Sequence, residues 1–438
     1  MLILLYIFKW HMQFMYFFIK LFTRQKQQVF FLSRQFNEIP LNYQYVIDEL
    51  KSQRSDIQIK VICKKVGSEL NETIRDTSKS SRVNVVLLKL IKQFKSSFGY
   101  YLSLYKQMYL IAKSTVVIID GYNVPVSMLK HKKNTTIIQM WHALAAIKKF
   151  GYQTIGYADG INPKIAKILK MHKNYDYVIS GSDEMKKYFA EAFNVPIEKV
   201  TSIGTPYIDD LLKNEDEEIE KAYKKHPELK NKINIMYSPT FRRDGRDYIQ
   251  DVINNVDTDK YNLIVTYHSK DEDRNKEISD KTINCSDIPY KILMRIADYI
   301  ITDYSALSLE AAIVRTKILL YICDVEQYTK ENGINIDLYK ELPNYTSTDI
   351  KDLIKVIDEN NYDTNILENF RRKYVSNLTG TSTNLITEIV LKNIEKKQEI
   401  DLEEMEMRYN NVDRRENLEN EKELKSSSYW LLQKKYIF

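Results

Sequence analysis

Cysteine is scarce in this chain. Its three residues, Cys63, Cys285 and Cys323, stand far apart among 438, and no Cys-x-x-Cys pair or Cys/His cluster accompanies them. That spacing argues against a disulfide framework and a structural zinc site, and it points to a reducing compartment. Cys63 and Cys323 fall inside apolar, strand-like runs, which predicts buried, inert thiols. A Gly-x-Gly-x-x-Gly fingerprint is also missing, which argues against a dinucleotide-binding fold. No long Lys/Arg run is present. The net charge of +6 therefore fits an anionic substrate or a membrane surface better than nucleic acid. With no ligand cluster in view, neither a metal nor a cofactor is expected.

What is present is a long chain with 44% hydrophobic residues, ample for two cores. Its start, Leu2 to Phe22, is very apolar. Lys9, Gln13, Tyr16 and Lys20 fall on one helical face there, with Arg24 and Lys26 just beyond. A narrow basic stripe on an apolar helix suits an anchor lying in the bilayer interface; a true span and a buried core helix are the alternatives. No small-residue cleavage site follows, so a signal peptide is not expected.

Short β-branched strands then alternate with helices. Strands are expected at Gln28–Ser33, Ile57–Cys63, Thr115–Ile119, Thr135–Met140, Tyr177–Ser180 and Val200–Ile203. A second series follows at Ile233–Tyr237, Tyr261–Tyr267 and Tyr299–Thr302. A helix lies around Tyr43–Ser52, helical segments lie around Val83–Ala112, and Ser68–Ser81 is a loose polar stretch. This pattern reads as α/β, with two parallel-sheet, Rossmann-like domains facing a cleft, the GT-B type. The expected divisions are 1–26 for the membrane-associating helix, 27–210 and 211–392 for the two domains, and 393–438 for a charged helical or disordered tail.

Polar residues collect at the ends of these strands. The segment Ala297–Cys323 reads as strand, turn, helix, strand, with Asp303-Tyr304-Ser305 at the turn. A hydroxyl residue opening a helix there makes Ser305 the expected cap and an anion contact. Thr240 and Arg242, just past another strand end, are a hydroxyl and a guanidinium suited to phosphate oxygens. Glu310 lies within the helix; its carboxylate suits ribose hydroxyls or pairing with a base, and a solvated glutamate is the alternative. Of six histidines, His142 and His268 stand at strand ends, one in each half. One imidazole suits a general base and the other a phosphate contact. His11, His131, His172 and His226 are read as structural.

Together the strings ITDYS, MWHALAAIKKFG, NYDYVISGS, the Gly204-Thr205-Pro206 turn, MYSPTFRRDG and SRQFNEIP resemble the CDP-glycerol glycerophosphotransferases, the primases and polymerases of teichoic acid and related polymers. The resemblance covers roughly residues 28 to 390. It implies transfer of a polyol phosphate from a CDP-activated donor to a hydroxyl of a lipid-linked acceptor, with release of CMP, at the cytoplasmic face of the membrane. It implies that His142 is the base and that His268 sits near the donor pyrophosphate. Thr240, Arg242 and Ser305 would contact donor phosphates, and Asp303 and Glu310 fill the signature's acidic positions. This sequence has Ala143 where the family more often has Gly, Ser269 after His268 where Pro is usual, Ala306 where a second Ser is usual, and Tyr207 where Arg is frequent. Glycerol phosphate is the first expectation for the transferred group, with ribitol or another polyol or sugar phosphate left open. The competing readings are a GT-B glycosyltransferase using a nucleotide sugar and a non-catalytic scaffold that retains the fold.

Overall fold

The computed structural model describes residues 2–65, 99–157, 160–240, 242, 245–266 and 279–399. Tyr267, His268, the stretch 68–81, residues 83–98 of the expected helical run and residues 400–438 of the tail lie outside the described residues. The chain divides into two compact units, 1–387 and 388–438. In the second unit, residues 388–399 are helical.

The first unit contains two parallel sheets. The first comprises β1 (Lys26–Ser33), β2 (Gln58–Cys63), β3 (Ser114–Ile119), β4 (Thr136–Gln139), β5 (Tyr177–Ile179) and β6 (Val200–Thr201), in the order β2-β1-β3-β4-β5-β6. The second comprises β7 (Ile233–Tyr237), β8 (Tyr261–Val265), β9 (Tyr299–Thr302), β10 (Lys317–Tyr321) and β11 (Thr346–Ser347), in the order β11-β10-β9-β7-β8. All described pairings within these sheets are parallel. Every residue of β3 and of β9 is buried, as continuous apolar runs in parallel sheets should be. Truncating one of these residues, such as Ile300→Ala, removes a fully buried side chain and should cost about 2–5 kcal/mol.

The strand orders locate the site. In the first sheet the chain runs from β1 to β2 on one side and resumes with β3 on the other. In the second it runs from β7 to β8 and resumes with β9 on the far side of β7. Each reversal leaves a crevice between diverging loops at the strands' C-terminal ends, where open α/β sheets take ligands. The first reversal lies at the C-terminal ends of β1 and β3, at Ser33 and Asp120. The second crevice opens between Ser238-Pro239-Thr240 and Asp303-Tyr304-Ser305.

The charged stretch between the sheets is a helix, Asp216–Lys225. Its first turn carries Asp216, Glu217 and Glu218 and its last turn Lys224 and Lys225, a distribution that complements the helix dipole. After the last helix of the second half, Thr364–Tyr374, the chain returns to the first half. Ser376 N–H donates to Gly181 O (3.0 Å), and the Asp209 carboxylate accepts the N–H groups of Ser382 and Thr383. The turn at Gly204 has φ 78°, and a Cβ there would lie 2.5 Å from Ser382 Oγ, so only glycine fits.

Two sequence expectations change. Cys63 and Cys323 are only half-buried, and Cys285 is the buried thiol. Burial still pushes Cys63 up to about 11 and Cys285 up to about 12, so both remain poor nucleophiles. The first helix, Leu2–Phe22, is present, but its polar stripe does not face outward. Tyr16 is buried and bonds His131 Nδ1 (2.9 Å), His11 Nε2 meets Tyr105 (2.6 Å), and Lys20 donates to Lys130 O (2.6 Å). The stripe docks the helix on its own domain. The opposite face, with Ile3, Ile7, Trp10, Phe14, Phe17 and Leu21, is exposed.

Candidate active site

His142 follows β4, and its ring is held from β3. Its Nδ1 lies 2.9 Å from the carbonyl oxygen of Asp120. A carbonyl can only accept, so in the neutral ring Nδ1 carries the hydrogen and the lone pair sits on Nε2. That is the tautomer of a general base. The preceding Trp141 has φ 59°, a conformation costing a bulky residue about 1–2 kcal/mol. It is secured by its N–H on Gln139 Oε1 (3.0 Å) and by stacking on Phe150, with centroids 4.6 Å apart. The strained residue turns the chain so that His142 points back over β3. The Asp120 side chain is buried, and Ser33 Oγ–H donates to its Oδ2 (2.6 Å). Among the described residues its Oδ1 has no hydrogen-bond partner. Burial raises this carboxyl to about 6, against the downward pull of Ser33 and the Arg34 N–H.

The second crevice is an ion-pair cluster. Thr240 N–H and Oγ1–H both donate to the Asp303 carboxylate, at 3.0 and 2.5 Å. Arg242 is buried. Its Nε and Nη2 grip Asp324 at 2.7 and 2.9 Å, and its Nη1 reaches Asp303 Oδ2 and Thr240 O, both at 3.1 Å. Tyr304 donates to Asp324 Oδ1 (3.0 Å) and stacks on Tyr328 at 3.9 Å. Burial pushes Asp324 up, but the hydrogen bonds and charge of Arg242, with the Tyr304 hydroxyl, hold it below the usual carboxylate range. Arg242 and the hydroxyl hydrogen of Thr240, both expected to point at a phosphate, are thus engaged by carboxylates in this structure.

Ser305 does not cap the helix as expected. The helix is Leu307–Ile313 with Ala306 at its N-cap; Ser305, one residue earlier, accepts the N–H of Leu307 at 3.3 Å. Glu310 lies on this helix and accepts the hydroxyl of Tyr207, from the first half, at 3.0 Å. Burial raises Glu310 to about 7, and the Tyr207 hydrogen bond pulls against that rise. A cavity of about 450 Å³ opens beside β8, lined in part by Val265, Thr266, Asn284, Ser286 and Tyr290. The hydroxyl of Tyr290 lies 3.0 Å from Ser238 Oγ.

Sequence reasoning passed over Lys148. The segment after His142 crosses to the second half. Asn335 N–H donates to Ile147 O (2.8 Å), Lys149 N–H donates to Gly333 O (3.1 Å), and Asn335 Nδ2 reaches Ala146 O (2.8 Å). Lys148 Nζ then lies 3.3 Å from Thr240 Oγ1. The signal that could have found it was its place in MWHALAAIKKFG, one of the strings that carry the family resemblance. Of the expected site residues, the structure places Thr240, Arg242 and Asp303 in one cluster. Ser305 and Glu310 lie on the adjoining turn and helix, and His142 lies on the segment that carries Lys148.

The family model for CDP-glycerol:poly(glycerophosphate) glycerophosphotransferase matches residues 14–392. The teichoic acid ribitol-phosphate primase of Bacillus spizizenii is 29% identical over 71% of this chain and 83% of its own. The teichoic acid glycerol-phosphate primase of Bacillus subtilis is 30% identical over 58% of this chain and 68% of its own. The structure of the wall teichoic acid polymerase TagF superposes with a TM-score of 0.62 at 18% identity, covering 88% of this chain and 94% of that one, which establishes the shared fold. The chain belongs to the CDP-glycerol:poly(glycerophosphate) glycerophosphotransferase family.

Proposed function

We propose that this chain transfers a polyol phosphate, glycerol phosphate first among the candidates, from a CDP-activated donor to a hydroxyl of a lipid-linked acceptor in teichoic acid synthesis. The half built on the six-stranded sheet takes the acceptor, and the half built on the five-stranded sheet takes the donor. The observation that carries this reading is the His142 ring, locked by Asp120 in the tautomer that can accept a proton. His142 Nε2 removes the acceptor proton as that oxygen attacks the donor phosphorus. Asp303 and Arg242 form the floor of the donor site and hold Thr240 and Asp324 in place. Ser305 meets a donor phosphate, the cavity beside β8 takes the base, and Glu310 accepts a ribose hydroxyl. His268 keeps the place near the pyrophosphate that the family resemblance gives it. Stabilisation is chiefly electrostatic, as phosphoryl transfer requires.

The test supplies radiolabelled CDP-glycerol, CDP-ribitol and a nucleotide sugar with a lipid-linked acceptor. Label from a CDP-polyol supports the proposal; label from the nucleotide sugar alone sinks it.

Glu310 makes the donor interaction pH-dependent. Only the carboxylate is a strong acceptor, so donor KM should fall as pH rises through about 7. The Tyr207 bond pulls the Glu310 pKa down, so Tyr207→Phe should move this inflection to higher pH. A KM profile that is flat in both proteins would remove Glu310 from the donor site.

The exposed face of the Leu2–Phe22 helix supports a peripheral place on the membrane. Its 21 residues are long and apolar enough to span a bilayer, yet its polar side is bonded to the protein. A helix docked in this way lies on the membrane with Trp10, Phe14 and Phe17 inserted. Deleting residues 1–24 should release the protein from anionic vesicles in flotation; because the deletion also strips Met12 and Tyr16 from the core, a thermal melt must show that the truncated chain is still folded. Undiminished flotation of the truncated chain would place the contact elsewhere.

A further inference from the structure

We propose that Lys148 is a catalytic residue whose ammonium neutralises the phosphate of the departing nucleotide. This rests on the reading of the reaction above. In that reaction the bond from the transferred phosphorus to the bridging oxygen of CMP breaks, and a bond to the acceptor oxygen forms. The acceptor proton passes to His142, and CMP departs with the bridging electron pair. The bridging oxygen therefore gains negative charge in the transition state and needs a cation beside it. Arg242, the residue the sequence offered, has its guanidinium buried between Asp303 and Asp324. Arg246 also lies 4.0 Å from Asp324, but it is bound to Glu331 at 2.8 Å; with both counted, three carboxylates face two guanidiniums, so this cluster does not attract an anion by itself.

Lys148 brings a positive charge to that place. Its Nζ lies 3.3 Å from Thr240 Oγ1, at the mouth of the second crevice, although its backbone belongs to the first half. The backbone is fixed there by an antiparallel bridge between Lys148 and Ile334 and by Asn335, whose Nδ2 reaches both Ala146 O and Lys148 O. The same segment begins at His142. One stretch of chain thus carries the proton acceptor to one crevice and an ammonium to the other. The strap fixes the backbone and so keeps the ammonium within reach of this crevice, the positioning that phosphoryl transfer draws on.

The experiment compares full-length wild type with Lys148→Met, Lys148→Arg and Asn335→Ala in steady-state transfer, and measures CMP affinity by calorimetry. Methionine keeps most of the stem and removes the charge. The expected result is a fall in kcat of about 10²- to 10³-fold for Lys148→Met. CMP binding should weaken, and Lys148→Arg should recover part of both. Lys148→Met with wild-type kcat and CMP affinity overturns the proposal. So does a kcat loss matched by Asn335→Ala with CMP affinity unchanged, which would make Lys148 only part of the strap. If wild type transfers no polyol phosphate at all, the reading of the reaction fails instead, and the CMP measurement still judges Lys148.

Discussion

His142→Ala should lower kcat for polyol-phosphate transfer by about 10²- to 10⁴-fold, the usual contribution of a positioned general base. The donor KM should change little, because in the proposed reaction the ring serves the acceptor. The substitution also removes the ring packed against Trp141 at 4.2 Å and the bond to Asp120 O. A thermal melt must therefore accompany the kinetics, and it should shift only modestly, since Trp141 keeps its stack on Phe150. Wild-type transfer rates in a folded His142→Ala protein, or undiminished polymer synthesis in cells, would end the catalytic reading. A loss of rate that tracks loss of folded protein would show a structural histidine instead.

Arg242→Met should have the largest effect on stability, about 3–5 kcal/mol. The guanidinium neutralises two carboxylates that are themselves buried, Asp303 at 3% and Asp324 at 7% exposure. Removing it leaves both charges in an interior that solvates them poorly. The costs do not end there, because Asp303 also holds the Thr240 backbone and Asp324 the Tyr304 hydroxyl. Arg242→Met/Asp324→Asn should regain part of the loss, since one stranded charge is then gone. Urea denaturation checks this. An unchanged midpoint in the single variant would show that water reaches these carboxylates and that the pairing contributes nothing. A partly restored midpoint with activity still absent would separate the stabilising role of the cluster from its proposed place in the donor site.

The strands were legible because parallel strands buried on both faces are continuous β-branched runs; β7 and β9 fall at Ile233–Tyr237 and Tyr299–Thr302, as read. β11 escaped, being two residues, Thr346–Ser347, with no apolar run. Strand ends also marked His142, Thr240 and Asp303, since polar residues gather where a sheet opens to a ligand. What stayed hidden depends on pairing between distant segments. Nothing near Arg242 announces that Asp324 will take its guanidinium, and nothing near Lys148 announces Thr240. The Leu2–Phe22 stripe shows a related limit. Spacing established that Lys9, Gln13, Tyr16 and Lys20 share a face, but not whether that face meets water or protein.

The outward apolar face of that helix bears on how turnover would depend on concentration. With the helix seated in a bilayer, enzyme and lipid-linked acceptor would meet by lateral diffusion in a thin layer. The effective concentration would then be set by the mole fraction of acceptor among the lipids and not by its amount in the bulk volume. Adding inert lipid at constant total acceptor should slow the full-length enzyme by surface dilution. A chain lacking residues 1–24 should be slower from the outset and nearly indifferent to that dilution.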